Sequence, residues 1–254
     1  MNKHFLGDTA ALTGRSLTHI LRSPDTILTT VVTPIILMLL FVYVLGGSIT
    51  TGSDQPYVSY LLPGILLITI ASGIAYTAYR LFLDLKGGIF ERFQSMPIAR
   101  SSMLWAHVLT SVVSNLISVA VVVGVALIMG FRSGAGVLDW LAVTGILVLF
   151  ILALTWLAVI VGLGAKTVDG ASAFSYPLIF LPFISSAFTP TANMPGPVGW
   201  FAENQPVTSI VDSIRNLLAQ QSVGGGIWIA LAWCVGILIV AYVLAIVTYR
   251  RRFN

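Results

Sequence analysis

Six stretches without a single Asp, Glu, Lys or Arg, at 26–53, 55–79, 101–131, 140–165, 170–202 and 216–249, dominate this chain of 254 residues. Each exceeds the roughly 20 apolar residues that a helix needs to cross a hydrocarbon core about 30 Å thick. Only 9% of the residues are charged, against about a quarter in a soluble domain. In lipid every backbone N–H and C=O must be satisfied within the protein, which leaves helices as the solution for runs this long. The expected fold is therefore an all-α polytopic membrane protein with six transmembrane helices, at 26–46, 57–79, 103–130, 140–165, 170–189 and 226–249. The fifth and sixth runs are longer than one crossing, so part of each must lie outside the core or turn back within it.

The basic residues orient these spans, because cytoplasmic loops retain Lys and Arg. Of the 13 Lys and Arg residues, all but Arg132 and Arg215 fall on one side: Lys3, Arg15, Arg22, Arg80, Lys86, Arg92, Arg100, Lys166, Arg250, Arg251 and Arg252. Both termini are expected to be cytoplasmic. The net charge of +4 reflects this bias and implies no nucleic-acid partner. A lone cysteine, Cys234, forms no intrachain disulfide. The N-terminus does not read as a signal peptide, since Asp8, Arg15, His19 and Arg22 interrupt it.

Residues 1–24 read as an amphipathic helix lying at the interface. Leu6, Ala10, Thr13, Leu17, Ile20 and Leu21 share one helical face, and Asp8, Arg15, His19 and Arg22 the opposite one. Within the spans, polar side chains form stripes. Thr26, Thr29, Thr30 and Thr33 mark the first, Thr69, Ser72, Gly73, Tyr76 and Thr77 the second, and His107, Ser111, Ser114, Asn115 and Ser118 the third. Such stripes signify close helix packing with interhelical hydrogen bonds, or a wall facing cargo. His107 reads as a satisfied structural histidine, with a role in gating as the alternative. The fifth span carries Pro177, Pro182 and Pro190, and prolines at membrane depth need protein or a water-lined space to satisfy the freed carbonyls. A kinked helix beside a pathway is expected there. Residues 190–224 are too long for a simple loop, and Val207, Ile210, Val211, Ile214 and Leu218 recur at helical spacing. They predict short re-entrant or amphipathic helices on the outer side.

Several chemistries are missing. No G-x-x-x-x-G-K-[ST] loop occurs, so the chain does not bind ATP in the P-loop manner. No His/Cys cluster has metal-ligand spacing. The "GASAF" at 170–174 resembles a serine nucleophile's setting only faintly, and His4, His19 and His107 all lie far from the late spans that would need a base. No catalytic residue is assigned. All nine acidic residues fall in tails, loops or span ends, whereas ion-coupled carriers generally need ionisable groups within the membrane. A transporter-like chain without its own energy source implies a separate ATPase. Two alternatives stay open: a non-transporting membrane scaffold or immunity protein, and an ion-coupled secondary carrier.

Residues 80–102 interrupt the apolar runs. Leu81, Phe82, Leu85, Ile89, Phe90, Phe93 and Met96 recur every three or four residues, with Arg80, Asp84, Lys86, Glu91 and Arg92 on the remaining faces. Pro97 stops that helix and Ser101-Ser102 can cap the next. The pattern is an amphipathic elbow at the cytoplasmic surface with apolar side chains left over for a partner.

The "FERFQSMPIAR" of this elbow resembles the coupling segment of ABC type-2 export permeases, and "NQPVTSIVDSIRNLL" is similar to the helix they carry before the last span. The resemblance covers essentially the whole chain and is nearest to the daunorubicin-resistance subgroup. It implies a type V exporter fold in the prokaryotic plasma membrane. The chain would pair with a second copy of itself or a related permease, above two copies of an ABC ATPase that binds ATP and magnesium. This chain would bind no cofactor or metal itself. Carried over, Phe90, Glu91, Arg92, Phe93, Gln94, Ser95, Met96 and Pro97 would seat in the ATPase, braced by Arg15, His19 and Arg22 of the interfacial helix. A hydrophobic or amphipathic cargo, whether drug, lipid or glycolipid, would leave the cytoplasm along spans one, two and five, with Thr33, Leu37, Phe41, Thr69, Tyr76, Phe180 and Phe183 as pathway candidates.

Overall fold

The structure, a computed structural model, describes residues 14, 24–47, 49, 56–87 and 100–253. Among these the chain is helical throughout, with no strand. Helix α1 spans Pro24–Leu39 and widens into a π-helical segment, Leu40–Leu45; α2 spans Tyr57–Lys86, α3 Arg100–Ile128 and α4 Val137–Gly164. Two short helices follow, α5 at Val168–Ala173 and α6 at Ser175–Phe180, ending in a 3-10 turn at Leu181–Ile184. Then come α7 at Gly196–Asn204, α8 at Pro206–Leu218 and α9 at Gly226–Phe253.

Four of these, α2, α3, α4 and α9, are long and apolar enough to cross a bilayer. The first and fifth expected spans appear as shorter apolar stretches, Thr30–Leu45 and Val168–Ile184. Proline explains the fifth: Pro177 and Pro182 lack the N–H that an uninterrupted helix requires, and the chain breaks into two short helices and a 3-10 turn. The second span also extends beyond residue 79 to Lys86, where Gly87 ends it by donating its N–H to the Leu83 carbonyl. Part of the predicted elbow is thus a straight continuation of α2. The interfacial helix with Arg15, His19 and Arg22, and the elbow residues Phe90 to Pro97, lie outside the described residues.

Helix α2 is the axis of the bundle. Its apolar window is 72% buried, against 22% for α9, and it packs on α1, α3, α4, α5, α6 and α8. The outer faces of α1 and α9 carry exposed Leu, Ile and Val, which suits lipid rather than water. Because lipid tails are as apolar as leucine, helices associate in membranes by close packing, and α2 uses glycine for it. A Cβ on Gly64 would lie 2.5 Å from the Ala187 Cβ, and one on Gly73 would overlap the Asn115 amide. A second seam holds the other end together: Trp156 meets Trp105 and Tyr242 edge-on, at 5.4 and 4.8 Å between centroids, joining α3, α4 and α9.

Candidate functional site

At the Arg80 end, α2, α3 and α4 are tied by buried polar groups. Thr77 donates to Ser111 at 2.9 Å, the Ser111 and Thr155 hydroxyls lie 3.1 Å apart, and Asn115 Nδ2 donates to the Ser111 carbonyl at 2.9 Å. The hydroxyls of Thr77, Ser111 and Thr155 thus satisfy one another across three helices, whereas the buried Asn115 Oδ1 has no hydrogen-bond partner. Ser111 is the hub, and replacing it with alanine is expected to cost about 1–3 kcal/mol by stranding its partners. A drop in melting temperature in detergent, with Ser114→Ala as a milder control, checks this.

Beside that ladder Asp84 pairs with His107 at 3.2 Å, and the Arg80 guanidinium lies 5.7 Å above the Tyr76 ring. They line a cavity of about 40 Å³ with Thr30 and Thr110. The buried Thr110 hydroxyl has no protein partner, and a cavity of this size admits ordered water. The Asp84–His107 pair joins the last turns of α2 to the first turns of α3, the two helices flanking residues 88–99.

At the opposite end of α2 an aromatic cluster joins the first and fifth apolar stretches. Phe41, presented by the π-helical segment, stacks on Phe188 at 4.6 Å and approaches Phe183 at 6.2 Å. Phe183 stacks on Phe188 at 4.8 Å, and the exposed Phe180 lies 6.1 Å from Phe183. Three of the pathway candidates, Phe41, Phe180 and Phe183, therefore meet. Of the other four, Leu37 packs against the same core one turn before Phe41, Thr33 is exposed, and Tyr76 sits at the Arg80 end. Thr69 is fully buried, its hydroxyl donating to the Ile65 carbonyl of its own helix at 2.8 Å. Phe188 escaped the sequence reading because it follows the break, beyond any helical periodicity.

Helix α8 props this cluster from behind. Val207, Ile210, Val211, Ile214 and Leu218 are all buried, as their spacing predicts. Arg215 reaches back from it to the chain that leaves the broken span. It donates from Nη1 to Asp212 at 2.6 Å, from Nη2 to the Ser186 carbonyl at 2.7 Å and from Nε to the Tyr60 carbonyl at 3.2 Å. Its guanidinium also lies 3.8 Å above the Tyr60 ring. Ser186 donates to Asp212 at 2.7 Å, and the Tyr57 hydroxyl donates to the Phe188 carbonyl at 3.0 Å. Burial pulls the Arg215 pKa below the ordinary arginine value, opposed by Tyr60 and Asp212; an arginine so partnered stays charged.

Gln205, the middle residue of Asn204-Gln205-Pro206, has a comparable task. Its Nε2 donates to the carbonyls of Leu181 and Ile184, the acceptors left free where the 3-10 turn ends. Gln205→Ala is expected to cost about 1–3 kcal/mol through those orphaned carbonyls, read as a lower thermal midpoint that Gln205→Asn fails to restore. Neither Arg215 nor Gln205 was singled out from sequence. The available signal was an arginine three residues after Asp212 in an amphipathic helix. Among the described residues, no three His, Cys, Asp or Glu side chains stand close enough to share a metal ion.

A bundle of four membrane-length helices with a broken fifth stretch and a buttressing amphipathic helix defines a membrane-integral protein. Residues 8–219 match the family model of the ABC-2 type transporter, and the chain belongs to that family. It is similar to the daunorubicin resistance ABC transporter permease protein DrrB1 of Streptomyces coeruleorubidus, with 27% identity over 91% of this chain and 84% of that protein. It is also similar to the probable doxorubicin resistance ABC transporter permease protein DrrC of Mycobacterium tuberculosis (strain ATCC 25618 / H37Rv), with 26% identity over 97% of this chain and 90% of that protein.

Proposed function

We propose that this chain is the transmembrane subunit of an ATP-driven exporter that moves a hydrophobic or amphipathic compound out of the cytoplasm, powered by a separate ATPase. The continuity of α2 carries this reading. One unbroken helix runs from Tyr57 to Lys86, a length of about 45 Å at 1.5 Å per residue. Its Lys86 end leads into residues 88–99, which hold the proposed coupling helix at residues 90–97. Its Tyr57 end touches the Phe188 carbonyl beside the aromatic cluster. A push on the elbow would reach the cluster through a single rigid lever, while the Asp84–His107 pair makes α3 move with it. Six crossings in a type V arrangement, with both termini cytoplasmic and α7–α8 re-entrant from the outer side, complete the proposal. Two permeases would enclose the path, and two ATPases would dock beneath them.

The lining supports the cargo class. Phe180 and Phe183 offer apolar area without charge, as suits a hydrophobic or amphipathic compound, and the relatives named for daunorubicin and doxorubicin resistance point the same way. Co-reconstitution with an ABC ATPase tests the whole reading, using daunorubicin as the probe. The expected result is hydrolysis stimulated by the probe together with ATP-dependent efflux. Uphill transport by the permease alone, driven by an ion gradient, would overturn it.

A further inference from the structure

A second apolar site lies on the far side of the broken span. Leu178 and Leu181 line a groove of about 460 Å³, walled also by Leu154 of α4, Val207 of α8, and Trp233 and Val240 of α9. Gly236 also lines it, and a Cβ there would meet nothing within 4 Å. Trp233 and Val240 are 42% and 58% exposed, so the groove opens sideways from the bundle. Leu154 and Gly236 each lie near the middle of a membrane-length helix, which sets the opening at the depth of the hydrocarbon.

We infer that this groove holds one acyl chain of a membrane phospholipid. Its walls include no charged side chain and one polar side-chain group, the Trp233 indole N–H, so water there would find too few partners to stay. Left empty, it would forfeit the dispersion contacts of every wall. From Trp233 to Val240 the groove is about 10 Å long, and its mouth opens at hydrocarbon depth, where an unbranched alkyl chain of the bilayer can enter it sideways. The chain would fill the gap between the foot of α8 and α9, bracing the helix that holds Arg215. This depends only on the protein residing in a bilayer, not on what it exports.

The full chain in phospholipid nanodiscs, doped with a phosphatidylethanolamine bearing a mid-chain diazirine, tests the site by photolabelling and peptide mapping. Labelling of 178–181 and 233–240 is expected to exceed that of the exposed face of α1, at Leu28 and Ile36, several-fold. Gly236→Phe, which places a ring in the groove, is expected to remove the excess and leave the α1 signal unchanged. Val240→Trp, which narrows the mouth from the outside, should do the same if the first variant proves unstable. Even labelling of both faces, or an excess that survives both substitutions, would overturn the assignment. So would displacement of the label by excess daunorubicin, which gives the groove to cargo, or disulfide-linked dimers of Val240→Cys, which give it to a second copy.

Discussion

Arg215→Ala is expected to destabilise the folded chain by about 1–3 kcal/mol, the cost of leaving partly buried hydrogen-bond partners without their donor, since the Asp212 carboxylate is 44% exposed and stays solvated. The loss has three parts. Asp212 keeps its charge beside the bundle without its counter-ion, and Ser186 retains only the carboxylate it already donates to. The Ser186 and Tyr60 carbonyls, 29 and 155 residues away in sequence, lose their donor. The Tyr60 ring loses the cation stacked on it. Arg215→Lys should recover less than the full effect, because an ammonium is a point charge and cannot hold a flat stack while reaching three acceptors in a fork. Thermal unfolding in detergent, followed through tryptophan fluorescence, reads both variants. A midpoint for the alanine variant equal to the unsubstituted protein would show that the knot is ornamental.

The second large effect falls on function and leaves the fold alone. Phe93→Asp or Arg92→Glu is expected to abolish ATP-driven export, with insertion and melting temperature unchanged. Both residues belong to the apolar-and-charged repeat between α2 and α3, outside the described residues, which follows directly on the Lys86 end of the α2 lever. Truncating an anchor of a protein interface costs about 2 kcal/mol or more, and a charge in an apolar seat should sit at the upper end; that already weakens ATPase binding about 30-fold. Retention of the ATPase by tagged permease, and probe-stimulated hydrolysis, should fall together. Efflux at the unsubstituted rate from vesicles carrying either variant would remove the docking role from residues 90–97.

The four long spans were legible because nothing competes with an apolar run of that length: 57–79, 103–130, 140–165 and 226–249 each lie within, or overrun by a residue or two, an observed helix. The boundaries moved where amphipathic turns extend a helix past the hydrocarbon, as α2 does to Lys86. The polar stripes were read correctly as pattern but not as partnership. Thr69 and Ser72 donate to carbonyls four residues back in their own helix, an option open to any Ser or Thr in a helix, so a stripe does not by itself say what lies across from it. Thr77, Ser111 and Thr155 show the other outcome, with Ser111 reaching two neighbouring helices. Arg215 was counted as an outer-side charge. Its acceptors are mostly backbone carbonyls, which leave no mark in a sequence, and only Asp212, a turn earlier, hinted that it was engaged.

The π-helical segment at Leu40–Leu45 gives the first apolar stretch something the other long helices lack, namely slack. Its hydrogen bonds close over five residues rather than four, so each turn stores a surplus residue. Losing one residue there would let the segment tighten into α-helix and leave both flanks where they are. The same loss inside α2 would swing everything beyond it by about 100° and scatter the Gly64 and Gly73 contacts. Length differences between related permeases should accordingly gather at this point of the first span, and Phe41 is the side chain whose aim they would reset.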